Sequence, residues 1–284
     1  MAFTKQSKQN VIFHTADAFT AAGGVAHGFA TRLGGVSTGP CAQLNLGLSR
    51  HDDPAAVREN YRRFCAAVGT DPNSLVMTHQ VHEDTIRVAS REDILPDLLD
   101  PIPYDADGLI TNDPGLCLTI YYADCIPVLL YDPEQKVIAA VHSGWRGTAL
   151  GIAPQAAEKM ADLYGCKKES ILAAIGPGIG PCCFETHDDV PSAMTARWGS
   201  GVTPYLSSLG NGKFSVDLKG ILAWQLRTAG LTQDHIDTLP LCTACHPELY
   251  WSHRKMGDQR GNQAAMIQLR PSSLSLPREG SAER

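Results

Sequence analysis

The sequence predicts a single α/β domain of mixed β-sheets flanked by helices. Helix and strand signals alternate along its 284 residues, with no internal repeat. Several strand candidates are apolar on both faces, so their sheet must be covered by helices or by another sheet. Residues 126–142 read as a hairpin, and an antiparallel pair in mid-chain breaks a purely parallel, doubly wound pattern.

Taken in order, residues 1–10 are polar and read as a flexible N-terminus. Residues 271–284, "PSSLSLPREGSAER", have the composition of a disordered tail, leaving 11–270 as the folded domain. "DDPAAVRENYRRFCAAVG" is a helix. Asp53 caps it, Pro54 suits its first position, Val57, Tyr61, Phe64 and Val68 form one apolar stripe, and Gly69 closes it. "TIRVAS", "DGLIT", "LCLTIYY", "IPVLLYD" and "KVIAAVH" follow as strands. "TALGIAPQAAEKMADLYG" is a second helix, starting between Thr148 and Pro154, with Ile152, Ala156, Met160 and Leu163 inward. After the strand "ILAAIGP", the third helix is "VDLKGILAWQLRTAG", facing inward through Leu218, Ile221, Leu222 and Leu226; "AAMIQL" is the last strand.

Composition excludes several classes of function. The net charge is -6 and no dense Lys/Arg stripe occurs, which argues against a nucleic-acid partner. No apolar run approaches the roughly 18 residues of a membrane span. The start, "MAFTKQSKQNVIF", lacks the apolar core of a secretory signal, so a cytoplasmic location is expected. Nine cysteines, an odd number, then read as thiols or ligands and not as a disulfide framework.

The hairpin carries the chemistry. Asp-Pro starts turns well, so a four-residue loop at Asp132–Gln135 is expected. Counting outward, Tyr131 faces Lys136 and Cys125 faces His142, with β-carbons about 4.5–5.5 Å apart. At that spacing a thiolate and an imidazole can share one metal ion or form an ion pair; a buried cysteine beside a structural histidine is the bland alternative. His142 opens "HSGWRG", a Gly-rich turn before a helix, where backbone N–H groups can receive an anion and Arg146 can grip phosphate through two hydrogen bonds. "THQVHEDTIRVAS" offers a third ligand. His79 and His82 are three apart and face opposite ways in a strand, so one of them can reach the same ion.

"GFATRLGGVSTGPCAQLNLGL", "HQVHEDT", "DADGLIT", "ADCIPVLLYDP", "AAVHSGWRGT", "IGPGIGPCCFE" and "WSHRKMGDQRGNQAAMI" occur in this order, from about Gly28 to Ile267. Together they closely resemble the YfiH/YlmD-like family, also called the laccase-domain or polyphenol oxidase family. The resemblance implies a CNF/YfiH-like fold. It implies that His82, Cys125 and His142 bind one catalytic metal ion, usually taken as zinc, with a fourth position open; the same donors also suit copper. It further implies a purine nucleoside phosphorylase acting on adenosine, inosine, guanosine and methylthioadenosine with phosphate, together with adenosine deaminase activity. Partners are therefore nucleosides and phosphate, with a monomer or small homo-oligomer expected. Two other enzyme readings stay open: a copper-dependent, laccase-like polyphenol oxidase, and a cysteine hydrolase with Cys125 as nucleophile and His142 as base. Against the first, multi-copper centres need many histidines, and this chain has ten, scattered, with no His-x-His pair. A non-enzymatic structural protein is the remaining class, which nucleoside binding without turnover would favour.

Other residues have weaker signals. Arg32 and Asn45 are candidates to line the substrate pocket, Asn45 favoured by the resemblance. "GPGIGPCCFE" holds Cys182 and Cys183 among glycines and prolines. Adjacent cysteines rarely bind one metal together, so packing is expected, with Cys183 a candidate for the pocket wall. "CTACH" gives Cys242 and Cys245 a zinc-like spacing, but without a second Cys-x-x-Cys these read as reduced thiols near the pocket. In the closing segment, Trp251, Ser252 and Arg254 match the family, Arg254 as a substrate-binding candidate. Arg260-Gly261-Asn262 replaces the family's Thr-Gly-Arg, so a contact by the second arginine moves to Arg260 or is lost. Asp105 and Asp107 read as turn-forming carboxylates.

Overall fold

The structure, a computed structural model, describes residues 2–271. Two six-stranded mixed sheets form its centre. The first runs Phe3–Lys8, Val11–Ala16, Val25–Ala30, Gln263–Leu269, Cys117–Tyr122 and Leu75–Val76 across the sheet. The second runs Ile236–Thr238, Leu172–Ile175, Ile126–Asp132, Val137–Ser143, Gly108–Thr111 and Ile86–Val88. A small third sheet joins Glu185–Thr186, Lys213–Val216 and Leu206–Gly210.

The strands apolar on both faces are explained by stacking. Phe29, Leu118, Ile120 and Ile267 of the first sheet pack on Leu109, Leu129, Ile138 and Ala174 of the second. The outer face of the first sheet is covered by helix Pro54–Val68, whose Val57, Tyr61, Phe64 and Val68 are buried against Phe13, Ala26 and Met266. Each such side chain contributes about 1.5–3 kcal/mol by leaving water. The outer face of the second sheet carries Val128, Leu130, Ala139 and Val141 under helices Ile152–Tyr164 and Leu218–Thr228. The order is helix, sheet, sheet, helix. Among the described residues no helix is long and apolar enough to cross a membrane.

The cap signals act as read: Asp53 accepts from Ala55 N–H, and Gly69 ends its helix at φ 88°. The second helix is split into Trp145–Leu150 and Ile152–Tyr164 by Gly151, at φ 80°, where a β-carbon would come within 2.6 Å of Trp198. The flexible N-terminus is corrected. Phe3–Lys8 is an edge strand paired with Val11–Ala16 through a tight turn whose residues Gln9 and Asn10 both have positive φ, 51° and 68°. Its outward polar residues are those of a solvated sheet edge, not of a loose tail. The tail expected beyond Pro271 lies outside the described residues.

The hairpin register is also corrected. Asp132 pairs with Val137 and Pro127 with His142, so the loop is residues 133–136, one later than read. Asp132 stays in the strand because its carboxylate accepts from the Glu134 and Gln135 N–H groups at 2.8 and 3.0 Å, closing the turn from outside it. Cys125 therefore lies across from Gly144, and His142 across from Pro127. The slip moves the pairing by an even count, so Cys125 and His142 stay on one face as diagonal neighbours.

Candidate metal centre and active site

Three segments meet at the ends of the central strands. His142 lies near the end of strand Val137–Ser143, and Cys125 immediately precedes strand Ile126–Asp132. His82 comes from the turn before strand Ile86–Val88. Ligand atoms of the three lie within 4.8 Å of one another. The two imidazoles meet edge to face, centroids 4.9 Å apart. His82 and Asp124 both adopt positive φ, 64° and 91°, a conformation that non-glycine residues hold only when their surroundings impose it.

Asp107 imposes it at His82. Its carboxylate is fully buried and accepts from the Val81, His82 and Glu83 N–H groups at 3.1, 3.1 and 2.9 Å. The same carboxylate takes His142 Nδ1 at 2.7 Å. Nδ1 therefore carries the proton, and Nε2 is left for a metal ion or for the thiol. Asp124 does parallel work at Cys125. It accepts from Thr243 Oγ1 and from Arg254 N–H, both at 2.6 Å, tying the cysteine's loop to two later segments.

The electrostatics favour a charged pair. Burial pushes the Cys125 thiol up, but His142 and His82 beside it outweigh burial and bring it down to about 6. Burial pushes His142 down, but the Cys125 thiolate and Asp107 outweigh that and raise it to about 9. A thiolate and two imidazoles are a donor set that suits zinc or copper. The space fits as well. A β-carbon at Gly144 would lie 3.1 Å from both Cys125 Sγ and His82 Cδ2, so a larger residue there would press on two of the three donors. A β-carbon at Gly178 would come within 2.4 Å of Ile126, so the "GPGIGP" segment can pass close behind Cys125 only as glycine.

Two cavities of about 420 and 470 Å³ open at the cluster and share Arg50, His82, Ala123, Cys125 and Arg260. The larger also meets Trp145, Arg146, Ile179, Phe184 and Arg254. Its four guanidinium groups stand out in a chain of net charge -6. Arg260 is buried, and burial, with Arg50 next to it, lowers it to about 10. The Nε groups of Arg50 and Arg260 are buried with no hydrogen-bond partner among the described residues.

The sequence-read candidates divide. His82, Cys125 and His142 come together; His79 is exposed and pairs with Asp105 at 2.7 Å. The choice between the histidines follows from a turn, since His82 is not in a strand. Arg146 is exposed at the cavity, over the Trp145 ring at 4.4 Å. Arg254 reaches the cavity while its Nη1 bonds the Cys183 and Glu185 carbonyls at 2.9 and 3.0 Å. Asn45 does not line either cavity. It is wholly buried and its amide serves Asp52, Gly47 and Asn262, shaping the wall from behind. Arg32 is likewise spent on the Pro247 and Ala42 carbonyls. Cys183 lines neither cavity; its sulfur turns to Cys245. Asp107 was read as a turn residue because two carboxylates before a strand look like a turn. The available signal was that its strand, Gly108–Thr111, pairs with the strand carrying His142.

These features define a single-domain mixed α/β protein with a three-donor His/His/Cys centre. The chain belongs to the family described as multi-copper polyphenol oxidoreductase laccase, whose model matches residues 26–270. It is 34% identical over 255 residues to the purine nucleoside phosphorylase LACC1 of Mus musculus, covering 86% of this chain and 55% of the mouse protein. It thus spans about half the length of that relative. To the purine nucleoside phosphorylase YlmD of Geobacillus stearothermophilus it is 33% identical, covering 87% of this chain and 90% of that protein. The crystal structure of the Bacillus licheniformis hypothetical protein YfiH superposes with a TM-score of 0.86 at 30% identity, over 94% of this chain and 99% of that one.

Proposed function

We propose that this protein is a zinc-dependent purine nucleoside phosphorylase, with His82, Cys125 and His142 as the metal ligands. The observation that carries this is the pair of buried guanidinium donors without partners, on Arg50 and Arg260, in the wall shared by both cavities beside the ligand cluster. Such donors suit a phosphate oxygen. The relatives' names, purine nucleoside phosphorylase, support the same chemistry.

In this reaction a phosphate oxygen bonds to the anomeric carbon as the bond from that carbon to the purine nitrogen breaks. The base leaves with the bonding electrons and takes a proton, giving free purine and ribose-1-phosphate. Arg50 and Arg260 hold the phosphate, and Arg146, which lines the same cavity, adds charge. Trp145, Ile179 and Phe184 give a flat, apolar wall for the base. Asp107 fixes both imidazoles through the turn and Nδ1. His82, Cys125 and His142 would hold the ion, which when bound would supply Lewis-acid polarisation. Adenosine, inosine, guanosine and methylthioadenosine are the expected substrates. Adenosine deamination is a second reading, favoured by the three-donor set, which leaves one metal position for reaction. The Cys125–His142–Asp107 chain also has the order of a thiol hydrolase.

Inosine with and without phosphate tests the proposal. Hypoxanthine and ribose-1-phosphate are expected only with phosphate, and a chelator is expected to abolish turnover. Equal base release without phosphate contradicts phosphorolysis, and full activity after metal removal favours the thiol enzyme.

A further inference from the structure

Four of the nine cysteines gather in a cluster of which none lines either cavity. Cys182 and Cys183 precede strand Glu185–Thr186, and Cys242 and Cys245 lie in the turn after strand Ile236–Thr238. Their sulfurs all lie within 4.8 Å of one another, and Cys245 Sγ is 3.4 Å from both Cys182 Sγ and Cys183 Sγ. All four are free thiols. A tetrahedral ion with sulfur arms of ~2.3 Å has edges of about 3.8 Å, so the sulfurs already stand near its corners.

At one corner, Cys242, the surroundings favour a thiolate. Gly180 N–H donates to Cys242 Sγ at 3.2 Å, a bond that favours the ionised sulfur. A β-carbon at Gly180 would lie 3.2 Å from Cys242 Cβ and 3.3 Å from Cys182 Sγ, so glycine gives this close approach its room. The buried Lys219 ammonium bonds the Leu239 and Leu241 carbonyls, directly before Cys242, and brings positive charge towards a site that four thiolates and one dication leave doubly negative.

We propose that Cys182, Cys183, Cys242 and Cys245 bind a second zinc ion, closed and four-coordinate, with a structural role. The adjacent cysteines act as one arm of the site and the Cys-x-x-Cys turn as the other. The ion would tie together two segments about sixty residues apart, a closure that stabilises by constraining the unfolded chain. It would also fix a wall of the nucleoside cavity. Ile179 and Phe184 belong to the Cys182–Cys183 segment, and Thr243 of the other arm bonds Asp124.

The test is zinc content of the full chain purified under reducing conditions. Wild type is expected to hold two equivalents, and the triple variant His82→Ala/Cys125→Ser/His142→Ala one. Cys182→Ser/Cys245→Ser is expected to lose one. Cobalt added to the metal-stripped triple variant is expected to give the intense visible bands of a tetrahedral tetrathiolate complex, which decides the matter even if the serine variant does not fold. A triple variant without zinc and without those bands overturns the site. So does a thiol count two short, which marks a disulfide.

Discussion

His79–Asp105 and His142–Asp107 are the same pair of residue types, each joined Nδ1 to Oδ1 at 2.7 Å. The aspartates are two residues apart in one short segment. The first pair has side chains 66% and 66% exposed, the second 3% and 0%. Burial turns one contact into a positioning device and leaves the other a solvated surface pair. Asp107 also carries three backbone N–H groups of the His82 turn, so one carboxylate sets two of the three proposed ligands. Among the described residues, the Asp105 carboxylate bonds its histidine and no other group.

Substitution separates the two. Asp107→Ala strands a buried imidazole and three amides, and is expected to cost about 3–5 kcal/mol, the scale of breaking one side of a buried pair. The denaturant midpoint and bound zinc should fall together; an unchanged midpoint contradicts the role given to Asp107. Next in size is an acid effect at histidines outside the centre. Burial holds His14 and His27 down to about 4, so both stay neutral in the fold. Unfolded, each takes a proton below pH 6.5. Stability is therefore complete above pH 6.5 and declines as pH falls towards 4, by roughly 3 kcal/mol per residue at the end. His27→Gln should flatten part of that slope in urea melts, and an unchanged slope contradicts it. Gly144→Ala pushes a methyl into the cluster and should weaken zinc about 10–100-fold, the range seen when supports of a metal site are disturbed; competition with a chromophoric chelator reads this. Asp105→Ala is the smallest, within about 1 kcal/mol, with zinc retained.

Most of the architecture was legible because periodicity and caps are local. The helix from Pro54 to Val68 has its Asp, Pro and Gly signals in place, and all seven strand candidates lie in sheets. Phe3–Lys8 escaped because a solvated edge strand buries only Phe3. The hairpin loop was misread by one residue because Asp132 closes the turn while remaining paired. Cys125 and His142 were joined by counting, which survives an even slip, but His82 needed the family resemblance. A turn held at positive φ by a distant carboxylate has no local signature. The four-thiol cluster was missed for the same reason, since adjacent cysteines and a lone Cys-x-x-Cys gain meaning only when folding brings them together. The place of Asn45 was not legible, because a buried amide that supports a wall and one that touches substrate look alike in sequence.

The most direct test of the centre is zinc per chain in His82→Ala beside His79→Ala. Loss of one equivalent from the first and none from the second is expected. Equal retention in both, or loss from His79→Ala alone, contradicts the centre described here.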